Sequence, residues 1–177
     1  MVNIDLGCGT RKRDGFIGVD VLDFPGVDVK CDLGKDKWPW EDNSVDEANA
    51  SHFIEHLTGD ERIHFFNELY RVLKVDAKAT IITPHWSSGR AYGDLTHKWP
   101  PVVEMFWYYL NAEWRAKNAP HISFTCDFAA VWGYSINPTW QVRNQETQTF
   151  GVSHYREVAQ DMMATLTKRE APKDVTP

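Results

Sequence analysis

The chain has little cysteine, no long apolar run and no surplus of positive charge, and each shortage removes a class of function. Three cysteines, Cys8, Cys31 and Cys126, stand far apart. An odd number so placed builds neither a disulfide framework nor a zinc site and suits reduced thiols. No uncharged apolar stretch approaches the ~20 residues a membrane-spanning helix needs, and the longest candidate, 102–110, contains Glu104. The start carries no basic segment followed by an apolar stretch and a small-residue cleavage site. A soluble, cytoplasmic protein is expected. With a net charge of -6, long-range attraction to a phosphate backbone is weak. The single basic cluster, Arg11, Lys12 and Arg13, is short enough to be a solvated loop.

What is present points to one domain. A chain of 177 residues buries roughly two thirds of its unfolded surface and needs no staples. Strands are expected at 2–6, 16–20, 27–33, 44–50 and 78–84, the third from its alternation of valine with polar residues and the fifth from its β-branched residues. Between the fourth and fifth, Ile63, Phe66, Leu69, Tyr70 and Leu73 recur at helical spacing, and Thr58 with Glu61 forms a capping-box signature at the start. Strands alternating with a helix predict an α/β, doubly wound, mostly parallel sheet of Rossmann-like type.

The first half departs from that pattern. Residues 7–15 alone join the first two strands and 21–26 the next two, whereas a helical crossover takes a dozen or more. The N-terminal helices must be reduced, and a sheet face left uncovered there predicts an oligomer or a folded-over lid. Beyond residue 85 the texture turns aromatic. Residues 85–99 read as a loop and 101–117 as a helix opening on Pro100 and Pro101, with 85–120 as a lid or acceptor insertion. Residues 121–135 and 161–169 read as two further strands, an antiparallel pair closing the sheet, and 170–177 as a disordered tail. One domain is expected over 1–169.

Ligands of open α/β sheets bind beyond the carboxyl ends of the strands, where the first turn needs glycine so that backbone can come close. Gly7 and Gly9 meet that need after Asp5. Asp20 ends the second strand, placed to accept from ribose hydroxyls, and Asp32 ends the third, placed to accept from an adenine amino group. A dinucleotide fingerprint would add a third glycine to bring a helix onto the diphosphate, but position 12 is lysine. A phosphate-free adenosyl cofactor therefore fits better, and a nicotinamide-dependent oxidoreductase is disfavoured. S-adenosylmethionine has the required parts: adenosine for the acids and a cation for the carboxylate-lined turn.

At these residues the chain resembles the class I S-adenosylmethionine-dependent methyltransferases. Residues 3–10, Asn-Ile-Asp-Leu-Gly-Cys-Gly-Thr, look like their first motif, 17–20 their second-strand acid, and 31–57 their third and fourth motifs. Residues 68–85 are similar to their long helix, turn and fifth strand, although 74–78 depart from the usual Lys-Pro-Gly-Gly. The chain most resembles a compact branch found in bacteria and phages that continues into a Gly-Asp-x-Thr-His loop, here 93–97. The resemblance implies a seven-stranded sheet with an antiparallel last strand. It also implies that Asp5, Gly7, Cys8 and Gly9 line the methionine part, Asp20 and Val21 the ribose, and Asp32 and Leu33 the adenine. Ala50, Ser51 and His52 would face the reacting methyl, S-adenosylhomocysteine being the product.

The acceptor is less legible. The Asn-Pro-Pro-Tyr of amino-methylating DNA enzymes and the Pro-Cys of cytosine-C5 enzymes are both absent, and with the acidic charge they argue against DNA and for a small acceptor. His85, Asp94 and His97 form the expected acceptor-side cluster, a base near neutral pKa suiting proton removal, with His52 as second choice. Those polar groups could instead tie the long loop together. Two histidines and a carboxylate can hold a metal, but their spacing is not distinctive and no metal is expected. Trp86, Tyr92, Trp99, Phe106, Trp107, Tyr108 and Tyr109 either pack a core under a lid helix or line an acceptor pocket. His56, His64, His121 and His154 receive no role. A catalytically silent cofactor-binding partner protein is the competing function.

Overall fold

A computed structural model describes residues 1–170; the part of the expected tail from 171 onward lies outside the described residues. Seven strands form one sheet: β1 (Asn3–Leu6), β2 (Ile17–Asp20), β3 (Val29–Lys30), β4 (Val45–Ser51), β5 (Leu73–Pro84), β6 (Phe128–Ile136) and β7 (Ala159–Lys168). Their order is β3-β2-β1-β4-β5-β7-β6. All neighbours from β3 to β5 pair parallel, and β7 runs antiparallel between β5 and β6. The expected α/β sheet with an antiparallel C-terminal strand is present.

One face is dry. Ile4 pairs with Ala48, Ala48 with Ala79 and Ala79 with Leu166, while Ala50, Ile81 and Ala164 form the next row. All are buried, and Phe65, Phe66, Leu69 and Val72 of α1 (Gly59–Val72) belong to the same core. The capping box opens α1 as expected: Thr58 N donates to Glu61 Oε2 at 2.9 Å and Glu61 N to Thr58 Oγ1 at 3.4 Å. The short helices α3 (Glu104–Tyr108) and α4 (Ala112–Asn118), which follow the single turn α2 (Arg90–Gly93), pack on this face too. Phe106 meets Phe66 at 5.4 Å between ring centroids, and Tyr108 meets Trp132 at 5.4 Å.

The opposite face is more open, with Arg90 of α2 reaching Asp161 at its edge at 2.6 Å. The row Asp5, Asn49, Thr80, Thr165, Val131 and the row Ser51, Ile82, Met163, Gly133 run across it, and Val131 is 73% exposed. The connectors to β2 and β3 replace crossover helices: Asp28 accepts from Gly18 N at 2.7 Å and pairs with Lys12 at 2.9 Å, tying both connectors over β2. The aromatic insertion, expected as a lid, lies on the face α1 already covers.

Four expected elements have other bounds, each for a local reason. β3 is two residues long because Asp36 accepts from Asp32 N and Asp32 accepts from Gly34 N, taking donors a ladder would use. β5 begins at Leu73 without an intervening turn, and its register against β4 jumps between Val45↔Leu73 and Glu47↔Lys78, where Asp76 sits at φ 64°. The expected helix 101–117 is split because the Asn111 side chain accepts from Trp114 N at 2.9 Å and starts α4 afresh. The strand expected from 121 starts only at Phe128. Buried Arg115 draws in the carbonyls of Tyr109, Phe124 and Cys126, so that backbone is satisfied by a side chain instead of a neighbouring strand. Two helices, α5 (Pro138–Gln141) and α6 (Gln145–His154), link β6 to β7. No helix among the described residues is long and apolar enough to cross a membrane.

Candidate active site

The strand order reverses between β1 and β4, the switch point where open α/β sheets bind ligands. A cleft of about 920 Å³ opens there, lined by the turn Gly7–Thr10, by Asp5, and by Asn49, Ser51 and His52 of β4 and its end. Gly7 and Gly9 have φ of 67° and 53°, the left-handed region that side chains avoid. A Cβ on Gly7 would run into the Phe53 ring, whereas one on Gly9 would meet nothing within 4 Å and would project into open space. Gly7 N and Cys8 N both donate to Val19 O, at 2.8 and 3.2 Å, pinning the turn to β2. No helix follows: residues 7–16 reach β2 through turns, so no helix N-terminus faces a diphosphate.

Carboxylates hold this turn. Asp5, 3% exposed, accepts from Asn49 Nδ2 and from Arg13 N, both at 2.7 Å. Asp20 Oδ2 accepts from Gly9 N at 3.0 Å and Oδ1 from Leu22 N at 2.9 Å, leaving lone pairs on both oxygens. Burial, followed by the charges of Asp5 and Asp20, pushes the Cys8 thiol up, so it keeps its proton. The cleft brings together Asp5, Gly7, Cys8, Gly9, Ser51 and His52 and leaves Asp20, Val21, Asp32 and Leu33 out of its walls. Asp20 stays tied to it through Gly9. Asp32 lies 3.3 Å from Lys35 Nζ, Leu33 points into the core and Val21 is exposed.

On the acceptor side the histidines separate. His52 sits at φ 54°, and its Nδ1 lies 3.4 Å from Glu55 Oε1, which raises its pKa against the opposing effect of burial. His85 is fully buried. Ser87 N donates to its Nδ1 at 3.2 Å, so the ring proton is on Nε2, donated to Glu104 Oε1 at 2.8 Å. Both nitrogens are thereby committed, and no lone pair is free to accept an acceptor's proton. Glu104 also accepts from Trp86 Nε1 at 3.0 Å and Tyr134 OH at 3.2 Å. Burial alone would raise its carboxyl, but the bond from His85, then a backbone N–H and Tyr134, hold it at about 2. Asp94 accepts from Thr96 N and Oγ1, and His97 stacks edge-on against His56 at 4.8 Å between centroids. No hydrogen bond joins His85 to Asp94 or His97 among the described residues.

The aromatic set divides. Trp107 is core, its Nε1 donating to Met162 Sδ, and Tyr108 packs on Trp132. Trp86, Tyr92, Trp99, Phe106 and Tyr109 instead line an apolar groove of about 710 Å³ beside the first turn of α1. Sequence reading missed Asn49, Thr80 and Ile82 as cleft walls and Glu104 as the partner of His85. Asn49 could have been found from its place one residue before Ala50 on the fourth strand, whereas Glu104 carries no local signal.

Comparison with known proteins agrees with this arrangement. Residues 24–81 match a family model described as a methyltransferase domain. No characterised protein matches the chain in sequence. Among solved structures, it is similar to a SAM-dependent methyltransferase from Archaeoglobus fulgidus, at 19% identity and a TM-score of 0.66 over 94% of this chain and 85% of that one. An S-adenosylmethionine-dependent methyltransferase from Mesorhizobium loti matches at 14% identity and a TM-score of 0.53, over 94% and 90%. The geranyl diphosphate C-methyltransferase of Streptomyces coelicolor, solved with Mg2+, geranyl diphosphate and S-adenosyl-L-homocysteine, matches at 16% identity and 0.56, over 94% and 70%. The fold is thus the one these S-adenosylmethionine-dependent methyltransferases share, and residues 24–81 carry the sequence pattern of a methyltransferase domain.

Proposed function

We propose that this enzyme moves a methyl group from S-adenosylmethionine to an oxygen or nitrogen of a small acceptor. The observation that carries this reading is the cleft at the β1/β4 switch point, whose floor is a glycine turn with Asp20 accepting from Gly9 N and Asp5 from Arg13 N just beyond it. The residues present fit the cofactor: Gly9 leaves open the space that a Cβ would fill, and no helix offers itself to a phosphate. Asp5 and the Gly7–Gly9 turn hold the amino-acid part. Asp20 accepts from the ribose hydroxyls with the lone pairs that Gly9 and Leu22 leave free, and Asp32 and Leu33 border the adenine. When bound, the cofactor supplies a methyl already activated by its sulfonium.

What remains for the chain is positioning, which can itself be worth ~7 to 11 kcal/mol of barrier. Ser51 and His52 stand at the end of β4 where the methyl would lie, and the left-handed backbone of His52, a strain of about 1 kcal/mol or more, aims the residue at the cleft it lines. Its unpartnered Nε2 accepts a hydrogen bond from the acceptor. His85 acts one step back, fixing the loop after β5. The Gly-Asp-x-Thr-His stretch at 93–97 supports a place in the compact bacterial and phage branch. Three free, buried cysteines suit a reducing cytoplasm.

Calorimetry with S-adenosylhomocysteine and with NAD tests the cofactor. Micromolar binding of the first and none of the second is expected, and the reverse would overturn the reading. Transfer of label from tritiated cofactor to a small molecule in cell extract is then expected; binding without any transfer would make the chain a silent partner protein instead.

A further inference from the structure

Next to the cleft, and outside the cofactor's reach, Glu55, His56 and His97 each offer a ligand atom, and the three atoms lie within 4.8 Å of one another. Glu55 and His56 belong to the 3₁₀ turn Ile54–His56 that follows β4, and His97 comes from the loop after β5. Lys98 N donates to Glu55 O at 2.8 Å, so the two segments are held side by side without any ion.

The protonation pattern of the rings is set by their neighbours. Thr96 Oγ1 gives its only proton to Asp94 Oδ1 at 2.7 Å, so it accepts at 2.9 Å from His56 Nδ1. His97 Nδ1 faces the carbonyl of Ala91 at 3.1 Å and must donate to it. Both imidazoles therefore carry the proton on Nδ1 and present a bare Nε2 lone pair with no partner among the described residues. This is how outer-shell acceptors prepare histidines for a metal. The third member adds a buried carboxylate. Glu55 is 4% exposed, and its Oε1 makes no well-formed hydrogen bond; its nearest charged neighbour is His52 Nδ1, at 3.4 Å. A buried carboxylate oxygen held only by so long a contact is under-satisfied, and a cation beside His56 and His97 would complete it.

We infer that Glu55, His56 and His97 form a binding site for a divalent first-row transition ion at the rim of the cleft. Two imidazoles and one carboxylate with no thiolate favour Mn2+, Fe2+, Co2+ or Zn2+ over the all-oxygen cations. Three protein ligands leave coordination positions for water or another oxygen ligand. Donors around a bound ion sit about 3 Å apart, so the two segments draw together by an ångström or two on loading. The rival explanation is that Glu55 only balances the buried guanidinium of Arg62, whose Nη2 also lacks a partner and whose charge Glu55 supports against desolvation.

The test is titration of untagged, chelator-stripped protein with Co2+, followed by its visible absorption, and with Mn2+, followed by loss of the free-ion paramagnetic resonance. One equivalent is expected to bind. Glu55→Gln, which keeps the shape, and His97→Ala, on a loop, should each weaken binding at least a hundredfold. Thr96→Val should weaken it by about tenfold or more, and His154→Ala should leave it alone. Absence of stoichiometric binding by the native chain, or equal binding by His97→Ala with an unchanged melting midpoint, would overturn the site and leave Glu55 as the partner of Arg62. Calorimetry of S-adenosylhomocysteine in the presence of chelator keeps this outcome separate from the cofactor reading, because none of the three ligands lines the turn.

Discussion

Glu104→Ala removes one acceptor from three donors, and the structure states what each donor loses. His85 Nε2, Trp86 Nε1 and Tyr134 OH lie 2.8, 3.0 and 3.2 Å from the carboxylate. His85 is fully buried and would keep an unsatisfied N–H, at about 1 to 3 kcal/mol. The exposed Trp86 can turn to water. The drop of Glu104 from 4.5 to about 2, which these same bonds bring about, corresponds to about 3 kcal/mol at full burial and about 2 once the 31% exposure of its side chain is allowed for. A carboxylate depressed on folding stabilises above its unfolded pKa and loses that contribution as pH falls toward the folded one. Urea melts followed by tryptophan fluorescence should therefore show a deficit of about 2 to 3 kcal/mol at pH 6 that shrinks steadily between pH 5 and pH 2.5. A deficit below 0.5 kcal/mol, or one that stays constant across that window, would refute the network.

Asp20→Ala should weaken S-adenosylhomocysteine binding tenfold to a hundredfold by calorimetry, since a hydrogen bond to a charged group is worth ~1.5 to 3 kcal/mol; unchanged affinity would remove Asp20 from the site. His52→Ala should lower kcat about tenfold or more on a known acceptor while leaving S-adenosylhomocysteine affinity within twofold, and a loss confined to that affinity would place His52 on the cofactor instead. Thr58→Ala should cost about 1 kcal/mol by loss of the capping box, a fall of ~2 to 4 °C in melting midpoint for a chain of this size; no shift would mean the α1 start is held by packing alone.

The parts of the fold legible in the sequence are those whose cause is local. The α1 start was readable because Thr58 and Glu61 are three residues apart, and the core half of β5 because Ala79 and Ile81 alternate with Thr80 and Ile82. The irregular path before β6 was not readable, because it depends on Arg115 reaching the carbonyls of Phe124 and Cys126. The same division runs through the site. Glycines and acids at strand ends announce themselves, since topology alone puts them at one edge. Glu104 and His85 meet across an interval that no periodicity links, and His56 had no visible role until the chain brought His97 back beside it. His85, Asp94 and His97 were grouped because they share a loop, and their hydrogen bonds send them to different partners.

The short connectors have a consequence for the cleft as well as for the sheet. With crossover helices missing, Thr80 and Ile82 on the more open face become walls of the cleft, although they lie on β5, beyond β4. In a sheet covered on both faces a larger side chain at either position would overpack a core, at about 1 to 3 kcal/mol. Here Thr80 looks out between Asn49 and Thr165 into the cleft that it lines. Thr80→Phe should therefore change the melting midpoint by no more than a degree or two, in the range of ordinary surface substitutions, while its ring fills part of the cleft and lowers S-adenosylhomocysteine affinity at least tenfold. A fall of ~5 °C or more would mean that something covers this face in solution, and retained affinity would mean that the cofactor stays on the β1 side of Asn49.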